Sequence, residues 1–317
     1  MFRRNIIPIL VFVLICFFII KPETVSEGAF NGLKIWVNNI IPYLFPMSVL
    51  SNILLQYNFL YSLFGRASFI SNKLLKNKYA LIPFFISFVS GYPSGAMTVN
   101  TMASYKRINE NEANYLTLFT NNCSFQFIAG AVSFSMLGDF KFYKYIALPH
   151  LIGALLTSFL IMKKESSSDI SNNVRLKPVP FHNAFSSSIY KSVTGILSVG
   201  GVIVIFSVFS NFLNDSLTSA ANAFSLGTNM KDIIYSLLVG SLEITNGCSI
   251  ISSSLFVPLQ AKLIIINFLI SFSGMSVIFQ TMAVINEFDF DIKNYIFYKF
   301  IHGVISVLLC IFMFSVI

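Results

Sequence analysis

The chain has 317 residues, of which 34 are charged (21 Lys+Arg and 13 Asp+Glu, 11%), while 55% are hydrophobic and 35 are Phe. Soluble domains carry about a quarter charged residues, and at a mean hydropathy of +0.75 no polar surface can be assembled, which excludes a cytosolic enzyme and a disordered chain. The net charge of +8 is spread over short loops beside apolar tracts, a pattern that points to a lipid bilayer and away from nucleic acid.

Reading from one charge to the next gives nine apolar tracts: 5–20, 35–65, 79–105, 113–138, 145–162, 192–214, 233–261, 263–286 and 300–317. Each approaches or exceeds the ~20 residues that cross a hydrocarbon core. The first follows Arg3 and Arg4, lacks a small-residue cleavage site and has Ile15 before Cys16, so it reads as a retained helix and not as a removed signal. Tract 79–105 is too long for one straight helix, which would reach roughly 40 Å against a ~30 Å core. It carries Ser90-Gly91-Tyr92-Pro93-Ser94-Gly95 at its middle, and two glycines with a proline stop a helix and permit a tight reversal. In tract 113–138, Thr120-Asn121-Asn122-Cys123-Ser124 interrupts the apolar run, and Ser271-Phe272-Ser273-Gly274 does the same in 263–286. Such runs can unwind a helix and aim backbone N–H groups into a cavity, which suits anions; small residues and Asn also serve close helix packing. Tract 233–261 carries Glu243-Ile244-Thr245-Asn246-Gly247 near its middle.

Charge placement decides how many tracts cross. If all nine span, Lys and Arg divide 11 to 10 between the two sides. If 79–105 and 233–261 enter and leave on the same side, the division becomes 15 to 6, with the N-terminus cytoplasmic and the C-terminus on the opposite side. The expected architecture is therefore all-α and integral to the membrane, with seven spans and two re-entrant hairpins. Non-helical backbone at membrane depth survives only inside protein or beside a water-filled cavity, so both hairpin tips should face one.

The two halves match at a shift of about 152 residues: Gly95 falls on Gly247, Asp139 on Asp291, Lys141 on Lys293, Tyr143 on Tyr295 and His150 on His302. With a two-residue gap, Phe125-Gln126 falls on Phe279-Gln280. Residues 28–162 and 192–317 then form two repeats of three spans plus one re-entrant hairpin each, preceded by an N-terminal helix (1–27) and joined by a polar cytoplasmic linker (163–191) within a single transmembrane domain. Three crossings invert the second copy, the organisation of many secondary transporters.

Glu243 is the one charge inside any tract. An acidic residue at the centre of a span costs on the order of 3 kcal/mol and is functional by default, as a substrate or proton-coupling carboxylate, unless it caps the second half of the hairpin. The candidate binding residues are Ser90, Gly91, Tyr92, Pro93, Ser94, Gly95, Thr120, Asn121, Asn122, Gln126, Glu243, Thr245, Asn246, Gly247, Ser273, Gly274 and Gln280. His150 and His302 recur at matching positions near predicted span ends and read as structural. Cys16, Cys123, Cys248 and Cys310 are isolated, without the spacing of a disulfide framework or a zinc site. No nucleophile–base order, phosphate loop or paired carboxylates suggests an enzyme.

Phe88-Val89-Ser90-Gly91-Tyr92-Pro93-Ser94-Gly95-Ala96, Phe119-Thr120-Asn121-Asn122 and Leu242-Glu243-Ile244-Thr245-Asn246-Gly247 resemble the sporulation integral membrane protein YlbJ (SpoVV) family, with its nucleoside-recognition (Gate) domains. Leu148-Pro149-His150 and Phe272-Ser273-Gly274-Met275-Ser276 extend the likeness from about residue 28 onward. The resemblance implies a fold like that of concentrative nucleoside transporters and movement of dipicolinic acid across the outer forespore membrane. A nucleoside or other organic-anion transporter, or a membrane scaffold for spore assembly, stays open beside it. The implied partners are a small organic anion and the lipid bilayer, with no cofactor, no metal and no nucleic acid; a homo-oligomer is compatible.

Overall fold

The computed structural model describes residues 2–57, 59–161, 179–223 and 227–316, and every regular element among them is helical. The chain opens with α1 (Phe2–Ile20), which ends at Lys21 because Pro22 starts the next helix, α2 (Pro22–Ile35). One π-helical turn, Trp36–Ile40, leads into α3 (Ile41–Gln56). Two short helices, α4 (Phe59–Arg66) and α5 (Ser68–Leu75), turn the chain into α6 (Leu81–Ser90) and α7 (Ser94–Ser104). Next comes α8 (Glu110–Thr120), whose first turn is fixed by a reciprocal cap: the Asn109 side chain accepts from the Glu112 N–H, and Glu112 accepts from the Asn109 N–H. A π-helical stretch, Phe127–Met136, precedes α9 (Tyr143–Leu160).

In the second half, α10 (Phe181–Ala223) runs for 43 residues and is followed by α11 (Thr228–Leu242), α12 (Ile244–Ser253), α13 (Leu259–Phe272), α14 (Gly274–Val284) and α15 (Ile292–Val316). Among the described residues three helical stretches are long and apolar enough to cross a membrane: Phe181–Leu213, Leu259–Val284 and Ile292–Ser315. Shorter apolar helices lie at Val11–Ile20, Leu44–Gln56, Leu81–Ser90 and Phe127–Met136. Tracts 35–65, 79–105, 113–138 and 233–261 are each divided: the first after Gln56, the second at 91–93, the third at 121–124 and the fourth at Glu243 and again at 254–258.

The linker assigned to 163–191 is shorter in its visible part. Residues 163–178 lie outside the described residues, and from Phe181 onward the chain is already α10. Its polar residues are packing residues: the Gln56 amide donates to the Ala184 carbonyl at 3.2 Å and to Ser188 Oγ at 2.9 Å. Further along the same seam, Asn52 donates to Ser192 Oγ at 3.1 Å and Trp36 Nε1 to the Ile196 carbonyl at 3.2 Å. Helices in lipid associate through such hydrogen bonds and close packing.

The outside of the molecule is apolar and much of its inside is polar. Leu197, Leu308 and Phe312 are exposed, whereas Asn121, Asn267, His150 and Lys299 are fully buried. That inversion of the soluble pattern fits a lipid solvent. One buried apolar cluster, including Ile82, Met102, Leu116, Phe119 and Tyr295, sits among α6, α7, α8 and α15; a second, including Ile128, Ile146, Ile251 and Ile266, lies on the other side of the helix breaks.

Candidate functional site

Both tracts expected to reverse are helix–break–helix pairs. In the first, α6 stops at Ser90, Gly91 takes φ +80, the Tyr92–Pro93 peptide is cis, and α7 begins at Ser94. In the second, α11 stops at Leu242, Glu243 is extended, and α12 begins at Ile244. The Glu243 carboxylate accepts the Asn246 N–H at 2.8 Å, so it is the N-cap of α12. Gly95 and Gly247, 152 residues apart, are points of close backbone approach. A Cβ on Gly95 would lie 2.1 Å from the Thr120 carbonyl oxygen, and one on Gly247 would lie 2.2 Å from Gly240 Cα.

The helices that follow are also interrupted. After α8, residues 121–124 are non-helical. Between α13 and α14, Ser273 (φ +78) and Gly274 (φ +71) are left-handed. For a residue with a Cβ such as Ser273, that conformation costs roughly 1–2 kcal/mol and is held by its surroundings.

Three of these breaks border a cavity of about 60 Å³, and the body of α14 closes it beside them. Ser90, Gly91 and Tyr92 come from the first tip, Glu243, Ile244 and Thr245 from the second, Cys123 and Ser124 from the unwound segment, and Gln280 from α14. Ile40, Leu44, Val199 and Ile203 form an apolar wall opposite. Ser90 Oγ pairs with Ser51 Oγ at 3.1 Å, and Gln280 Nε2 donates to Ser276 Oγ at 3.0 Å. The Tyr92 hydroxyl is buried beside the Cys123 thiol.

Of the sequence candidates, Ser90, Gly91, Tyr92, Glu243, Thr245 and Gln280 therefore meet at one cavity. Pro93, Ser94 and Gly95 continue into α7 behind it. Asn121 and Asn122 are buried in the wall: Asn121 Nδ2 donates to Thr281 Oγ1 and to the Tyr295 hydroxyl, both at 2.8 Å, and Asn122 Nδ2 donates to the Phe119 carbonyl at 2.8 Å. Thr120 bonds back to the Leu116 carbonyl, and Gln126 is exposed. Asn246 lies on the far side of the second tip, lining a separate polar space of about 380 Å³ with Lys34, Ser207 and Ser210. Gly247 is spent on packing against α11, and Gly274 on packing against the Gly240 carbonyl.

Sequence reading missed Lys299, which it placed among the interfacial charges. In the structure Lys299 is fully buried, with Nζ donating to the Asn121 carbonyl at 2.9 Å and lying 3.4 Å from His302 Nδ1. The signal was present: Tyr295, Lys299, His302 and Ser306 recur at helical spacing on one face, and all four are buried. His302 in turn reaches the His150 carbonyl, and His150 reaches Cys123 and Ser271.

No family model matches the chain, and no solved structure does. Among curated proteins it is similar to the sporulation integral membrane protein YlbJ of Bacillus subtilis (strain 168), at 28% identity over an aligned length of 320 residues that covers 89% of this chain and 76% of that one.

Proposed function

Starting from a chain related over most of its length to the sporulation integral membrane protein YlbJ, we propose that it is a transporter that carries dipicolinate, a small planar dianion, across the outer forespore membrane. The observation that carries this reading is the cavity shared by the two helix breaks, where Ser90, Tyr92, Glu243, Thr245 and Gln280 face an apolar wall inside a protein whose outer surface is apolar. Broken helices meeting at an internal site from two halves of a chain are how secondary transporters build their binding sites. The inverted repeat behind that idea is supported by matched detail. Both tips break at corresponding places, Gly95 and Gly247 both sit at backbone contacts, and Asp139 and Asp291 both accept backbone N–H bonds just before the last helix of their half.

The cavity is far too small for an aromatic ring with two carboxylates, so in this reading the conformation described is closed. Loading would separate the apolar wall of α3 and α10 from the tips. Serine, threonine, tyrosine and glutamine groups suit a carboxylate ligand, and the N-terminus of α12 is a ready anion seat. In the closed state Glu243 holds that seat itself, as its cap.

Purified protein in liposomes tests the reading. Dipicolinate uptake above that of protein-free vesicles is the expected result, and no uptake under any imposed ion gradient would refute it. Inhibition by nucleosides in the same assay would move the substrate class from dicarboxylates to nucleosides.

A further inference from the structure

Three charged side chains other than histidine are buried among the described residues: Arg107, Glu243 and Lys299, the last with no exposure at all. Glu243 caps a helix. Among the described residues no carboxylate pairs with Lys299. Burying a charge without such a partner is costly, and ionisable residues inside a membrane protein mark ion pathways and proton relays.

The hydrogen bonds around Lys299 fix where every proton sits. Cys123 N–H donates to His150 Nε2 at 3.1 Å, so that nitrogen is an acceptor and His150 carries its proton on Nδ1. Nδ1–H then donates to Ser271 Oγ at 2.8 Å, Ser271 to Ser306 Oγ at 2.8 Å, and Ser306 to the Pro149 carbonyl at 3.3 Å. His302 Nε2 faces the His150 carbonyl at 2.9 Å, which can only accept. His302 therefore carries its proton on Nε2 and presents Nδ1 as an acceptor to Lys299. Both imidazoles are neutral and fully engaged.

The other groups around Lys299 are equally committed. Tyr295, on the same helix, pairs with Asn121 and Thr281. From α8, the Tyr115 hydroxyl turns away to the Leu75 carbonyl. The Cys123 thiol belongs to the unwound segment at the cavity, while α13 and α14 present Ser271 and Thr281, neither of which titrates. Lys299 can change protonation without breaking either of its bonds. As a neutral amine it has two N–H donors for its two acceptors, the Asn121 carbonyl and His302 Nδ1; as an ammonium it has a third donor and a charge that no neighbour neutralises.

We propose that Lys299 is the proton-coupling group of this protein. It takes up one proton from water when a dianion occupies the cavity on the other face of the 121–124 segment, and returns it when the dianion leaves. The step is an amine plus a proton giving an ammonium, with no other bond made or broken. The bound dianion supplies the counter-charge that the closed protein lacks. This deepens the transport reading, on which it rests, by naming the co-transported ion.

The test is proton uptake by purified protein in weakly buffered detergent solution, followed with a pH-indicator dye as dipicolinate is added. The wild type should take up about one proton per dipicolinate bound. Lys299→Met should bind with no uptake, and should it not fold, Lys299→Gln, which keeps N–H donors, takes its place. Binding without proton uptake in the wild type, or unchanged uptake in the variant, overturns the proposal and leaves the transport reading standing. If dipicolinate does not bind, the transport reading falls, and potentiometric titration of the ligand-free proteins decides the proton site. Wild type and variant should then differ by one titrating group; superimposable curves overturn the proposal.

Discussion

His150 and His302 stack on each other with ring centroids 4.9 Å apart and planes inclined by 17°, and His302 Nε2 donates to the His150 carbonyl. They are 152 residues apart, the same shift that relates Gly95 to Gly247 and Asp139 to Asp291. Two residues at matching positions of the halves thus touch where α9 and α15 cross, and both are fully buried there. The stacked pair also links the Cys123 backbone, at the cavity, to Lys299.

His150→Phe separates the stack from the hydrogen bonds. Phenylalanine preserves a ring against His302 but strands the Cys123 N–H and removes the donor to Ser271 Oγ, which keeps its own bond to Ser306. Leaving a buried donor unsatisfied costs about 1–3 kcal/mol, so thermal unfolding in detergent should shift down by several degrees. An unchanged midpoint would mean that the backbone at Cys123 finds another partner.

The two close-packed glycines give a sharper test. Alanine at Gly95 or Gly247 would place a methyl 2.1–2.2 Å from backbone atoms that no side-chain rotation can clear. The helices must part, and overpacking of this kind costs about 1–3 kcal/mol or more. Gly201 has nothing within 4 Å of a Cβ, and Gly201→Ala should be neutral or slightly stabilising because alanine is the better helix former. Detergent thermal stability of the three variants checks the ordering, and equal midpoints would contradict the packing described.

Glu243 combines two roles that substitution can pull apart. Glu243→Ala removes the cap on the Asn246 N–H and should cost about 1 kcal/mol. Glu243→Gln keeps an acceptor oxygen there and should leave stability within error while removing the charge. Because the carboxylate holds the anion seat at the start of α12 in the closed state, removing its charge should raise the apparent affinity for dipicolinate; an affinity equal to that of the wild type would show that it serves only as a cap.

Helix breaks were legible because they depend on local chemistry: Gly91 with Pro93, the Asn121-Asn122 pair and Ser273-Gly274 interrupt helices whatever surrounds them. What each broken segment faces was not legible, because side-chain direction after a break is set by tertiary packing. Asn121 and Asn122 therefore read as ligand groups yet turn to Thr281, Tyr295 and Phe119. Lys299 was misplaced for a related reason. Tract ends were drawn at charges, so a lysine within α15 defined a boundary instead of signalling a buried charge. The same habit assigned Ser187, Ser188 and Lys191 to a linker, although hydroxyls along α10 serve as partners for α3.

The loop between α14 and α15 is held by a clasp whose removal can be read residue by residue. Asn100 Oδ1 accepts the N–H groups of Asn286 and Glu287 at 3.1 and 3.0 Å, and its Nδ2 donates to Asn286 Oδ1 at 2.9 Å. Beside it, Asn114 donates to the Asp289 carbonyl at 2.7 Å and accepts from the Asp291 N–H at 2.9 Å. These side chains tie the loop to α7 and α8 and so fix where α15 begins, seven residues before Lys299. All of the bonds are exposed, so water replaces them in part, and each contributes about 0.5–1.5 kcal/mol. Asn100→Ala should therefore leave the global unfolding midpoint nearly unchanged while local opening becomes easier. Amide hydrogen exchange at Asn286 and Glu287 is expected to rise by about tenfold, the equivalent of roughly 1.4 kcal/mol, with amides inside α15 unaffected. Equal exchange in variant and wild type would show that the loop is held from elsewhere, and faster exchange along α15 would show that the clasp also carries the helix.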